Sequence, residues 1–426
     1  MIKIIEKEKI LSFLANRRMD FDGEKAKAVE EIISRVRLEG DTAVRYYTEK
    51  FDKSCRKMLE ASREEIDSAI NQVDGYFLET LKIAKENIET FHKKQLGGGY
   101  KTENDGIVLG MRYTPVEKVG IYVPGGKAAY PSTVLMNAIP AKIAGVDEII
   151  MVTPPRPDGS IKPEILAAAK IAGVDRVFAI GGAQAVAALA YGTESIPKVY
   201  KIVGPGNIYV ALAKKLVSGV VGIDMIAGPS EILIIADDTA NPSFVASDLL
   251  SQAEHDEMAS AILITNSNSL AEKVQTEVEK QLNALPRKEI AQKAIKNNSG
   301  IIIASNLEEC VEFSNQISPE HLELCTANPF ELLDRVKNAG SIFLGNYTPE
   351  PLGDYIAGPN HTLPTSGNAA FSSPLSVDDF CKKSSFLYYS REKLEEISDR
   401  TMDFAKREGL DAHARAIEIR VKDNTP

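Results

Sequence analysis

Histidine is scarce in this 426-residue chain, which holds five, and four of them sit in dense polar clusters. The clusters are Gln252-Ala-Glu-His255, Pro319-Glu320-His321, Asp354 with His361, and Glu408-Gly-Leu-Asp-Ala-His413. An imidazole titrates near neutrality and is the commonest protein ligand for zinc. The clusters are therefore the places to look for acid/base and metal chemistry. His92 falls on what reads as the polar face of a helix and is taken as incidental.

Each cluster has a chemical reading and a plainer one. Gln252 and His255 lie three apart near the end of a helix, so both side chains project from one face. Glu254 and Asp256 make that end acidic, which suits a cation. Alone, the pair is equally a solvated helix end, and glutamine is an uncommon zinc ligand. In Glu320-His321 a carboxylate stands beside an imidazole, which a reaction needs if it must move two different protons. The alternative is a glutamate in the first turn of an exposed helix. Asp354 and His361 occupy a Pro/Gly-rich loop from Gly345 to Gly367, with Tyr355 and Ile356 as apolar anchors. His413 follows the C-terminal helix beside Glu408 and Asp411, where a single histidine is more often a surface residue. In combination, two histidines, an aspartate and an amide oxygen complete an N/O shell for zinc or a similar divalent ion.

Glycine turns carry a second signal. Pro124-Gly-Gly126, Gly181-Gly-Ala-Gln184 and Gly204-Pro-Gly-Asn207 each follow an expected strand and precede an expected helix. Ligands bind at such carboxyl ends of parallel strands. None of the three is a GxGxxG. Each alone is a tight βα connection, but three in one domain favour a nucleotide or phosphate ligand.

The elements that must position these residues follow from periodicity. The first hundred residues read as helices, with stripes at Val29, Ile32, Ile33 and Val36 and at Leu81, Ala84, Ile88 and Phe91. After Gly97-Gly-Gly99 strands and helices alternate, with strands expected at 119–123, 148–153, 176–180 and 198–203. Ser132 reads as the N-cap of the first intervening helix. A second series starts at 232–236, with further strands at 261–265, 301–304 and 341–344 and a helix opened by Asn241-Pro242. Repeated βαβ units argue for parallel sheets covered by helices, in two similar α/β domains arranged in tandem. A charged helix from Arg391 to Glu408 and a short tail close the chain.

Composition narrows the function classes. Hydrophobic content of 44% and charged content of 26% are those of an ordinary globular protein. A net charge of −10 argues against a broad nucleic-acid surface or an anionic membrane partner. No apolar run approaches the roughly 20 residues of a membrane span, and the N-terminus lacks the continuous core of a signal peptide. The cysteines, Cys55, Cys310, Cys325 and Cys381, are scattered without a CxxC, so a reducing cytoplasm is the expectation. Cys325 could be imagined as a nucleophile toward an aldehyde, but Leu322-Glu-Leu-Cys325 reads as a small packing residue.

The chain resembles the L-histidinol dehydrogenase family along essentially its whole length. The resemblance is carried by Tyr122-Val-Pro-Gly-Gly126, Gly181 to Glu194, Gly204-Pro-Gly-Asn207, Ala227-Gly-Pro-Ser-Glu231, Ser247 to His255, Pro319-Glu-His-Leu-Glu323 and Glu408 to His413. It implies a zinc-dependent homodimer, one zinc per subunit, that oxidises L-histidinol to L-histidine with two NAD per turnover, the last step of histidine biosynthesis. It also implies zinc ligands at Gln252, His255, Asp354 and His413, and an acid/base pair at Glu320 and His321. NAD contacts fall on Tyr122, Gln184 and Asn207, and substrate contacts on Ser230, His361 and Glu408 besides His321 and the zinc ligands. In the family the C-terminal segment crosses to the partner subunit, so the resemblance implies that His413, Glu408 and His361 serve the other chain's site, the active site being shared between subunits.

With the resemblance, the expected fold is α/β: two tandem incomplete Rossmann-like domains, a small N-terminal helical segment and a C-terminal helical tail. The expected division is an N-terminal segment 1–23, a first α/β domain from 24–121 with 232–373, an NAD-binding domain 122–231, and a C-terminal segment 374–426 that reaches the partner subunit. Two other readings compete. A metal-dependent hydrolase of a small polar substrate would explain the ligand shell but leaves the glycine turns without purpose. A two-domain binding protein would not need a Glu-His pair beside a metal.

Overall fold

Runs such as Ile232-Leu-Ile-Ile-Ala236 are buried at every position, as a strand covered by helices on both faces must be. Such runs build two parallel sheets. The computed structural model describes residues 2–5, 23–125 and 130–422. Most of the expected 1–23 segment, and Gly126 of the first glycine turn, lie outside the described residues.

The chain divides into two units, Met1–Gln95 with Val116–Phe380, and Leu96–Pro115 with Cys381–Pro426. In the first unit a six-stranded sheet has the order Lys3–Ile5, Gly300–Ile303, Ser260–Thr265, Glu231–Ala236, His321–Cys325, Ser341–Leu344. Every neighbouring pair in it is parallel. A five-stranded sheet, also parallel, runs Arg176–Ala179, Glu148–Thr153, Lys118–Tyr122, Lys201–Val203, Gly222–Ile223. The strand order reverses between Lys118–Tyr122 and Lys201–Val203, a topological switch point. It sets Gly204 against Tyr122 so closely that a Cβ on Gly204, at φ +108°, would fall 2.2 Å from the Tyr122 carbonyl oxygen.

The helical stripes find partners. Val29, Ile33, Val44 and Tyr47 share a core with Ile150 and Phe178 of the five-stranded sheet. Leu81, Ala84 and Ile88 share the core on its other side with Val119, Ile121 and Leu135. The stretch from Glu24 to His92 thus packs with the 122–231 segment.

Three local expectations change. The helix after the first glycine turn begins at Pro131 with Tyr130 as N-cap, so Ser132 lies inside it. The tail after Glu408 is a second helix, Asp411–Lys422, set off by Gly409 at φ +75°. The second unit also holds an antiparallel sheet, Cys381–Tyr389, Ile107–Pro115 and Tyr100–Asn104. Tyr100–Asn104 is exposed throughout, so no apolar alternation announced it. The signal that could have found it was Asp105-Gly106, both at positive φ, the dipeptide that favours tight hairpins.

Candidate active site

The helix Leu307–Ile317 stops where Ser318 turns left-handed, and Pro319 cannot continue it. The residues after Pro319 do not start a new helix. His321 opens the strand His321–Cys325, between Glu231–Ala236 and Ser341–Leu344, and pairs with Ile232 and Ser341. Glu320 and His321, the expected acid/base pair, therefore lie at the amino edge of their sheet, whereas the glycine turns lie at the carboxyl edge of theirs. Helices running back against the strands deliver the other residues. Pro242–Ala253 carries Gln252 in its last turn, with His255 just beyond it. Within the Gly345–Gly367 loop a six-residue helix, Glu350–Tyr355, carries Asp354.

The ring of His321 is buried and its two nitrogens have different roles. Nδ1 lies 2.9 Å from the Glu231 carbonyl oxygen, which only accepts, so Nδ1 carries the hydrogen. That hydrogen being spent, Gln252 Nε2 at 3.4 Å is a packing contact, and Gln252 Oε1 is left buried without a partner. Nε2 of His321 has no hydrogen-bond partner. It faces Glu350 Oε1 and Asp354 Oδ1, each 3.8 Å away. Glu320 approaches from the other side, its Oε2 3.7 Å from Nδ1 and accepting the Glu231 N–H at 2.8 Å.

These neighbours set the proton affinities. Burial works against a charge on His321, but Glu320, Asp354 and Glu350 around it raise it to about 10. Burial lifts Glu320 to about 8, against the pull of the His321 charge. Burial and the adjacent Asp354 lift Glu350 to about 8. Asp354 is itself held below the usual carboxylate range, since His321 and His361 outweigh its desolvation. One group of carboxyls and imidazoles thus holds both a strong proton acceptor and acids poised near neutrality.

Asp354, His255 and His361 line one cavity of about 360 Å³, with Glu254, Arg287 and Tyr130 on its walls. His255 is exposed there. His361 donates from Nδ1 to the Asp354 carbonyl oxygen at 3.0 Å, leaving Nε2 buried and unpartnered, and burial lowers its pKa. The loop before it is gripped by the helix Gly75–His92. Asn87 donates to the Ile356 carbonyl at 2.8 Å, and His92 Nε2 accepts from Asn360 at 3.4 Å. His92 is thus fully buried rather than on a polar face, its Nδ1 donating to the Ile88 carbonyl. Ser230 precedes Glu231 at the same sheet edge, its carbonyl accepting from Ser260 N at 3.0 Å.

At the switch point of the other sheet, Tyr122 OH accepts the Gly182 N–H at 3.0 Å. Gln184 is buried with neither amide atom partnered. Asn207 is exposed and caps the helix Ile208–Val217 through its side-chain oxygen. Glu408 and His413 belong to the second unit, where both are exposed and line a surface pocket with Phe404 and Ile417. The structure thus gathers Glu320, His321, Gln252, Asp354, His255 and His361. It adds Glu350, which sequence reasoning missed. Among the described residues, one trio of His, Cys, Asp or Glu side chains could hold a metal ion, His321, Glu350 and Asp354, with ligand atoms within 4.8 Å of one another. It shares only Asp354 with the expected ligand set. The available signal was Glu350 four positions before Asp354, one helical turn away. Cys325 is buried, with burial and Glu323 pushing its thiol up, which leaves no thiolate for a nucleophile's role.

The family model described as histidinol dehydrogenase matches residues 15–421. The chain belongs to the histidinol dehydrogenase family. A histidinol dehydrogenase of Clostridium acetobutylicum is 55% identical over 419 residues, covering 98% of this chain and 97% of that one. One from Bacillus cereus is 58% identical over 398 residues, covering 93% and 92%. The crystal structure of histidinol dehydrogenase from Elizabethkingia anophelis superposes with a TM-score of 0.94 at 39% identity, covering 99% of this chain and 98% of that one. The protein is accordingly an enzyme of dehydrogenase class with the α/β fold expected, and the hydrolase reading is not favoured. Among the described residues no helix is long and apolar enough to cross a membrane.

Proposed function

We propose that the enzyme oxidises L-histidinol to L-histidine through L-histidinaldehyde, a four-electron oxidation that consumes two NAD and completes histidine biosynthesis in the cytoplasm. The observation that carries this reading is Nε2 of His321, buried without a hydrogen-bond partner while Nδ1 is held on the Glu231 carbonyl, and set between an adjacent Glu320 and the cavity of His255, Asp354 and His361.

The residues present fit a divalent cation. Gln252 Oε1 is a buried oxygen without a partner, Asp354 is held ionised, and His255 stands free on the cavity wall. Gln252, His255 and Asp354, with a His413 from a second copy of the chain, would supply the N/O donor set that zinc accepts. Zinc held there would anchor the substrate's imidazole and amine and, by its charge, oppose protonation of His321. The residues present also fit a dinucleotide, since Gln184 is buried with both amide atoms unpaired beside a glycine turn at a switch point. Bound NAD would accept the hydrides.

His321 Nε2 takes the hydroxyl proton of histidinol as the first hydride leaves the carbinol carbon. The aldehyde then needs a water to become a hydrate, from which a second hydride can leave. Glu320, lifted to about 8, is matched to taking that water's proton near neutral pH, and His321 again takes the hydroxyl proton. Ser230, His361 and Glu408 are assigned to holding the substrate. No thiohemiacetal is required, in keeping with the buried Cys325. Glu408 and His413 are assigned to the site of a second copy of the chain, in a homodimer.

The test follows absorbance at the NADH wavelength with limiting L-histidinol and excess NAD, before and after chelation and zinc repletion. Two NADH per histidinol, lost on chelation and restored by zinc, is the expected result. One NADH would mean that the reaction stops at the aldehyde, and none would remove the proposal.

A further inference from the structure

Glu323 is buried to 1% exposure in the middle of a sheet, and the proposed chemistry gives it no task. It stands two positions after His321 on one strand, so both side chains leave the same face. Its Oε1 accepts the backbone N–H of Glu350 at 2.8 Å. That amide opens the helix Glu350–Tyr355, which has no side-chain cap of its own, and first-turn amides have no partner within their helix. The last turn of the same helix brings Asp354 to 3.8 Å from His321 Nε2. One strand thus meets this helix at both ends, through Glu323 and through His321. A helix of six residues has little stability of its own, so these outside contacts fix where it lies.

The other side of Glu323 is also occupied. Burial, with the Asp248 carboxyl as its charged neighbour, holds Glu323 well above the usual carboxylate range, and Cys325 Sγ lies 3.9 Å from Oε2. Asp248 sits one turn before Gln252 on the helix Pro242–Ala253, on the same face. Glu323 is therefore where the strand of His321, the helix of Asp354 and the helix of Gln252 are joined.

We propose that Glu323 is a positioning residue of the reaction, a buried tie that sets Asp354 and Gln252 against His321. This rests on the roles proposed for those three residues. The effect is geometric. Loss of the tie frees a short helix to shift, and a displacement of about 1 Å at a reacting group can cost about 100-fold in rate.

The experiment compares three variants of the full-length enzyme by steady-state kinetics, zinc release to a colorimetric chelator and thermal melting. Glu323→Gln keeps an oxygen for the Glu350 amide and offers Asp248 an N–H, so it is expected to retain most of kcat and the wild-type rate of zinc release. Glu323→Ala removes both ties. Its kcat is expected to fall about 100-fold with KM for NAD unchanged and zinc released faster. Should it fail to fold, Asp248→Ala cuts only the tie to the helix of Gln252, and faster zinc release with unchanged KM for NAD is expected of it. Wild-type kcat and zinc release in the alanine variants would overturn the proposal, as would a glutamine variant as impaired as the alanine one. If the wild-type enzyme forms no NADH from histidinol, the proposed reaction is wrong, while zinc release still tests the tie.

Discussion

His321 sits among three carboxyl groups, and in the proposed reaction, where it acts twice per turnover, the proton it takes cannot stay on it. Glu320 is the neighbour typed for the other proton, the one from water. Because only the second oxidation needs a hydrated aldehyde, Glu320→Gln is expected to slow that step by about 100-fold more than the first. Single-turnover NADH traces should then show one fast equivalent and one slow; two equally slowed phases would remove water activation from Glu320. A different carboxylate gives a stability prediction. Asp52 has a buried oxygen without a partner, and burial raises its pKa to about 6. A carboxyl raised on folding favours the folded state below the unfolded value near 4, and that contribution is lost as pH rises through 6. Asp52→Asn should therefore match wild type near pH 4 and exceed it above pH 6 by about 1–2 kcal/mol, after discounting for partial exposure. Melting curves across that range check it, and a constant difference at all pH values would contradict it.

At the scale of elements, the turn after Lys201–Val203 is held from within. Asp224 accepts the Gly204 N–H at 2.8 Å, Lys214 donates to the Gly204 carbonyl at 2.9 Å, and the two side chains form an ion pair, 2% and 1% exposed. Removing one partner strands a buried charge, so Asp224→Asn or Lys214→Met should each cost about 3–5 kcal/mol in denaturant unfolding. A loss under 1 kcal/mol would mean that water reaches the pair. The turn itself was legible, because glycine and proline punctuate the chain wherever a strand must bend into a helix. The helical stripes and apolar strands were legible for the same kind of reason: covered parallel strands read as continuous runs, as in Ile301-Ile-Ile303. The central strand His321–Cys325 was not. Its buried positions include His321 and Glu323, so it alternates polar with apolar as an exposed segment does. Glu350 has only its spacing of one helical turn before Asp354 as a signal, and Glu323 and Asp248 have none that singles them out. They are single acids on three elements, and only the tertiary packing gathers them around one strand.

At the scale of the whole molecule, the second unit is short of partners. In its helix Arg391–Arg407 only Ser398 is buried, and among the described residues of the helix Asp411–Lys422 only Ala414, while Phe404, Leu387 and Ile419 are more than half exposed. Exposed apolar side chains on so small a unit suit an interaction surface, and a second copy of the chain is the occupant that the proposed shared site requires. If His255 of one copy acts with His413 of the other, two inactive variants should complement each other. His255→Ala and His413→Ala chains, mixed under conditions that exchange subunits, pair so that each mixed dimer holds one intact site and one with both defects. Random pairing makes about half of the dimers mixed, so about a quarter of wild-type activity should return from two proteins that have none. No recovery, with exchange confirmed by mass labelling, would mean that each chain completes its own site. Light scattering supplies the independent half of the argument: a dimer in wild type and both point variants, but a monomer when residues 391–426 are removed, would tie the complementation to the exposed helices.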